Sequence, residues 1–202
     1  MIKKRLLNNA KKIDLFLKKY FNSQKKSSLI KPMKYGVLSG GKKIRSTIIL
    51  DTGKLFNINI KKLINICASV ECIHSYSLIH DDLPCMDNDA LRRGKTATHI
   101  KYGESTAILA GNSLLTLAFE LISDKKFLIS PVSKNELIQS LAFYSGHLGI
   151  AGGQELDLRF EKKKKILIKL LTCKEKKLEN YLIFAVMQLV LLREKMKKKK
   201  KI

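Results

Sequence analysis

The chain has 202 residues, enough for one domain with a sizeable core and too few for two comfortable ones. With 45% hydrophobic and 28% charged residues, the composition excludes a disordered chain. The formal net charge is +23, but 34 of the 40 cations are Lys and 6 are Arg; without arginine and aromatic residues interleaved in basic patches, no nucleic-acid partner is expected.

Apolar residues recur at three- and four-residue spacing along the chain and no alternating strand pattern is found, which predicts an all-α, single-domain helical bundle. Ile2 to Phe21 reads as a first helix and Asn22 to Ser28 as a polar loop. Met1 to Tyr20 has the Lys and Leu spacing of an amphipathic helix and lacks a small-residue cleavage site, so a secretion signal is not expected. Lys42 to Phe56 and Ile60 to Asp82 read as longer helices, punctuated by Asn57 and Asn59. Asp87 to His99 reads as loop, and helices over Glu104 to Asp124, Ser133 to Gly152 and Leu178 to Met196 complete the bundle. The longest apolar run, Leu182 to Leu192, is too short to span a bilayer, so no membrane span is expected. The lysine runs Lys162 to Lys165 and Lys197 to Lys201 read as solvated segments. The cysteines Cys67, Cys72, Cys85 and Cys173 form no CxxC pattern, and two of them lie in an apolar helix as small hydrophobes. A reducing compartment, the cytoplasm, is expected.

The stretch His80 to Lys95 carries the chemistry. It holds Asp81, Asp82, Asp87 and Asp89, then the adjacent pair Arg92 and Arg93, directly after the apolar run Cys72 to Ile79. Clustered carboxylates repel one another and call for a cation. An oxygen-only donor set suits a hard metal, and magnesium keeps waters, one or two carboxylates and substrate phosphates. The arginines supply planar forks matched to phosphate oxygens. A solvated acidic turn beside a basic one is the minority reading. On a continuous helix His74 shares a face with Asp81, seven positions on. Asp81 and Asp87 would point to different sides, but Pro84 biases Leu83 out of the helical region and lets the chain fold back.

Three motifs together resemble the trans-isoprenyl diphosphate synthase (polyprenyl synthetase) family. His80 to Lys95 resembles its first aspartate-rich motif, in the long bacterial form with two extra residues between the aspartates. Gly40-Gly41-Lys42-Lys43-Ile44-Arg45 resembles its early Gly-Gly-Lys-x-x-Arg signature, and Gly152 to Leu158 its Gly-Gly-Gln-x-x-Asp-Leu. Val70 to His80 fits as well. The likeness is strong from about Met33 to Leu158 and weak over 159–192, and it ends in a Lys-rich tail over 193–202.

The resemblance implies a bundle around a central cavity, a Mg2+ cofactor, a homodimer, and condensation of isopentenyl diphosphate with an allylic diphosphate, dimethylallyl or geranyl, to give farnesyl diphosphate. It places the metal on Asp81 and Asp87, with Asp82 nearby and Asp89 as a helper or a solvated acid. Lys42, Arg45, His74 and Arg93 would grip isopentenyl diphosphate and Arg92 the allylic substrate; from spacing alone, the Lys42–Arg45 pair reads equally well as an ordinary basic helix start. Gln154 and Lys177 are further substrate-binding candidates, although a structural role for the Gly152-Gly153-Gln154 stretch is equally expected. Tyr76, five residues before Asp81, would floor the pocket and limit product length, or be an ordinary core residue. No protein nucleophile is implied; the departing diphosphate acts as base.

This chain departs from the family pattern at Asn88, Ala90 and Asn112, and at Ser46, where the family usually has Pro. Only Lys176-Lys177-Leu178 approximates the family's later Lys-Thr pair, and no second aspartate-rich motif follows, so the domain over 1–202 is expected to be short at its carboxy-terminal end. Three readings follow: a synthase, a non-catalytic remnant serving as a packing or dimerisation module, and a basic binding protein. The metal and phosphate motifs speak against the third.

Overall fold

The structure is a computed structural model that describes residues 2–163. Over those residues the chain is a helical bundle, as its periodicity predicts. The expected helix over Leu178 to Met196 lies outside the described residues.

Helix α1 (Ile2–Asn22) buries Ala10, Ile13, Leu17 and Phe21 along one stripe and leaves its lysines in water. Helix α2 (Ile30–Val37) is one that periodicity did not reveal, being only eight residues long with Pro32 in its first turn. Helix α3 (Ile44–Leu55) starts two residues later than expected, because Lys43 stands in the left-handed region at φ 45° and ψ 48°. The long helix expected over Ile60 to Asp82 is interrupted near its start. A 3-10 turn (Ile60–Lys62), capped by the Asn59 side chain accepting from the Lys61 N–H at 2.9 Å, precedes helix α4 (Ile64–Asp81).

Helix α4 is the axis of the molecule, with thirteen of its eighteen residues buried. It packs mainly on α6 (Glu104–Ser123), whose small residues Ala107, Ala110, Gly111 and Ala118 face the core. By length and composition α6 is the one helix among the described residues able to cross a membrane, and 44% of that stretch is buried within the bundle. Between α4 and α6 lie a two-strand hairpin, β1 (Leu91–Arg92) and β2 (Lys95–Thr96), and the short helix α5 (Thr98–Tyr102). The hairpin and the start of α5 fall within the stretch Asp87 to His99 expected to be loop, since strands of two residues carry no alternation to read.

The single helix expected over Ser133 to Gly152 is two. Helix α7 (Pro131–Ser145) begins with Ser130 accepting from the Ser133 N–H at 3.1 Å and with Pro at its first position. It stops at Gly146, which is extended, and α8 (Ile150–Lys163) restarts the path. A side chain at Gly152 would collide with the His147 carbonyl, so the first glycine of that motif serves this tight junction.

Candidate active site

The loop before α3 sets the first wall. Gly40 and Gly41 have φ of 94° and 104°, a region closed to most side chains, and Lys43 follows at 45°. A Cβ at Gly41 would strike the Arg93 guanidinium, so glycine is needed here for close approach as well as for the turn. The Lys43 side chain turns inward and is buried, while Lys42 stays exposed and Arg45 half-buried.

The hairpin sets the second wall. Its two turn residues, Arg93 (φ 55°) and Gly94 (φ 73°), both have positive φ, as the two-residue turns that match strand twist require. A non-glycine residue in this region costs roughly 1 kcal/mol. The turn sends the two adjacent arginines apart. Arg92 pairs with Asp82, its Nε donating at 2.7 Å and its Nη2 also bonded, and reaches Asp89 at 3.1 Å. Arg93 goes the other way, donating to the Gly40 carbonyl and, at 3.4 Å, to His74 Nε2.

Lys42, Arg45, His74 and Arg93, drawn from three separate stretches of the chain, thereby line one cleft of about 400 Å³ together with Gly41 and Glu71. Burial pushes the His74 imidazole well below its ordinary range, and Arg45, Arg93, Lys43 and Arg92 push it the same way. His74 is neutral at physiological pH and accepts from Arg93. Burial also lowers the Arg93 guanidinium, against the opposing pull of Glu71. The cleft is a cationic pocket holding a neutral acceptor.

The acidic segment sits at the carboxy-terminal end of α4. The Asp87 N–H donates to the Asp81 carbonyl at 2.8 Å, so the chain folds back after Pro84 as expected. The Asp81 carboxylate accepts from Gln154 Nε2, which also donates to the Ser77 carbonyl at 3.2 Å. Gln154 therefore holds Asp81 in place from α8. Asp82, the third carboxylate of the expected trio, is 2% exposed, and its carboxylate pairs with Arg92. Burial raises its pKa, with Arg92 opposing. Arg92 faces a separate narrow space of about 20 Å³, beside Tyr35, Ser39 and Thr96. Among the described residues no three metal-binding side chains converge on one point. Two carboxylates, one half-exposed and one exposed, still fit magnesium, which takes one or two and completes its shell from water and phosphate.

Tyr76 is buried on α4, its ring edge-on to His80 at 5.3 Å; burial, and then Asp81, raise its phenol pKa. Lys177 lies outside the described residues. Two residues of the site went unsingled in the sequence, Lys43 and Glu71, and Ser46 was noted there only as a departure from the family pattern. A lone carboxylate inside the apolar run of α4 was the signal available for Glu71.

A family profile described as polyprenyl synthetase matches residues 26–202, and the chain belongs to that family. It is 52% identical over 140 residues to the farnesyl diphosphate synthase of Buchnera aphidicola subsp. Acyrthosiphon pisum (strain APS), a match covering 68% of this chain and 49% of that one. Identity to the farnesyl diphosphate synthase of Escherichia coli (strain K12) is 48% over 136 residues, 67% of this chain and 46% of the other. The chain thus spans about half the length of the curated relatives it matches. Among solved structures it resembles an apo FPP/GFPP synthase from Zymomonas mobilis, with a TM-score of 0.88 and 34% identity over 95% of this chain and 70% of that one. The fold is the all-α fold of these synthases.

Proposed function

We propose that this chain takes part in prenyl transfer, joining isopentenyl diphosphate to dimethylallyl diphosphate and then to the resulting geranyl diphosphate to give farnesyl diphosphate. The observation that carries the reading is the convergence of Lys42, Arg45, His74 and Arg93 on one cationic cleft beside the Asp81–Asp87 fold-back. Two guanidinium forks and an ammonium group suit a diphosphate, with neutral His74 able to accept or donate a hydrogen bond without changing the net charge.

In this reading Asp81 and Asp87 hold Mg2+, which when bound neutralises charge developing on the leaving diphosphate. Gln154 fixes the direction of Asp81. Arg92 exchanges part of its bonding to Asp82 for the allylic diphosphate. The allylic carbon–oxygen bond breaks, the isopentenyl double bond attacks the resulting cation, and the departing diphosphate takes the proton. The residues bind, orient and stabilise charge; none is a nucleophile. Tyr76 floors the pocket that receives the growing chain. Free Cys67, Cys72 and Cys85 support a reducing, cytoplasmic setting. Exposed Leu109 on α6 and Phe143 on α7, 53% accessible each, offer apolar surface for a second copy.

Turnover of radiolabelled isopentenyl diphosphate with geranyl diphosphate and magnesium tests the reaction, and pyrophosphate binding tests the cleft. Asp81→Ala and Asp87→Ala are expected to reduce turnover by several orders of magnitude, in the range seen when metal-assisted charge stabilisation is lost. Lys42→Ala and Arg45→Ala are expected to weaken pyrophosphate binding about tenfold each, the loss of one charge-assisted contact. Near-parental turnover in the aspartate variants would remove the metal assignment, and near-parental binding in the other two would remove the diphosphate cleft.

A further inference from the structure

We propose that Glu71 is a positioning residue for the basic cleft, a buried carboxylate that sets the direction of Arg45 by holding the residues on both sides of it. The proposal rests on the diphosphate reading of that cleft. The Glu71 side chain is 3% exposed, yet it lines a cleft whose other charged groups, Lys42, Lys43, Arg45 and Arg93, are all cationic. A buried carboxylate persists only with partners, and Glu71 has them on two sides. Its Oε1 accepts from the Ser46 hydroxyl at 2.7 Å and from the Ser46 N–H at 3.4 Å. Its Oε2 lies 3.6 Å from Lys43 Nζ. That ammonium also donates to the Val37 carbonyl at 2.7 Å and lies 3.8 Å from Asp14.

The geometry is a clamp. Lys43 precedes Ile44-Arg45 and Ser46 follows it, so one carboxylate on α4 grips the chain at both ends of that dipeptide. The inward anchor of Lys43 holds its left-handed backbone, and the same turn leaves Lys42 facing out toward the cleft mouth.

Charge alone makes the opposite forecast, because removing an anion from a cationic cleft should tighten anion binding. The sign of the effect is therefore the test. Pyrophosphate binding to the purified chain is measured by titration calorimetry, with folding checked by circular dichroism and melting. If Lys42→Ala and Arg45→Ala bind like the parent, the diphosphate reading fails first and independently. With those two weakened, Glu71→Gln is expected to weaken binding about tenfold, the low end of the loss seen when an outer-shell support is removed, and Ser46→Ala about threefold, the scale of one neutral hydrogen bond. A merely structural Glu71 would lower the melting midpoint and leave the folded protein's affinity at or above the parental value, and that result from Glu71→Gln would overturn the proposal. If Glu71→Gln does not fold, Ser46→Ala decides: a threefold loss in a folded protein supports the clamp, and parental affinity overturns it.

Discussion

At His74 burial and four neighbouring cations all act against protonation. The unfolded chain, where the imidazole has its ordinary pKa of about 6.5, binds that proton more readily than the folded one. Stability therefore rises with pH up to about that value and falls as the solution is acidified below it. The expected result is a melting midpoint that drops between pH 7 and pH 5.5, with a smaller drop in His74→Gln; parallel pH profiles would show that His74 is not the group responsible. Tyr76 allows a second test at this scale. Tyr76→Ala is expected to lengthen the products beyond the fifteen carbons of farnesyl diphosphate on chromatography, and an unchanged product spectrum would reduce Tyr76 to core packing. The residue types of the site were legible because acids and arginines seldom crowd after an apolar run without a ligand to share. Their division of labour was not legible. That Asp82 spends its charge on Arg92, and Asp81 takes a bond from Gln154, depends on contacts between residues 10 and 73 positions apart.

Among the elements, the ends of helices were harder to read than their cores. Helix α4 was legible as an apolar run too continuous for a surface helix, whereas α2 and the hairpin are too short to show a period. The break between α7 and α8 was written in Gly146 and Gly149, but the helical spacing of apolar residues on both sides concealed it. The start of α7 is firmer. Ser130 caps the Ser133 N–H and Pro131 presets the first turn, so Ser130→Ala is expected to cost about 1 kcal/mol in denaturant unfolding. A change within about 0.3 kcal/mol, the scale of an ordinary surface substitution, would show that the cap is dispensable.

For the whole molecule, the charge of +23 and the cationic cleft make anions the natural stabilisers. Pyrophosphate at a hundredfold its dissociation constant adds about 2.7 kcal/mol to the folded state, which for a chain of this size corresponds to roughly 5–10 °C in melting temperature. The shift should shrink in Arg45→Ala; an equal shift there would assign it to the diffuse surface charge instead. The helical class and the order of motifs were legible at this scale because one period dominates the chain. The depth of the cleft was not, since it is set by how α3, α4 and the hairpin meet.

The hairpin turn has a consequence for how this chain tolerates change over generations. Arg92 and Arg93 serve opposite sides only because one peptide bond separates a strand end from a left-handed turn. A codon inserted between them would lengthen the two-residue turn and break the pairing of Leu91 with Thr96 and of Arg92 with Lys95, so Arg93 would lose its place against Gly40 and His74. A codon replaced at Gly94 would strain the turn but keep that count. Copying errors that change length should therefore be purged from this dipeptide more strictly than errors that change identity at its glycine.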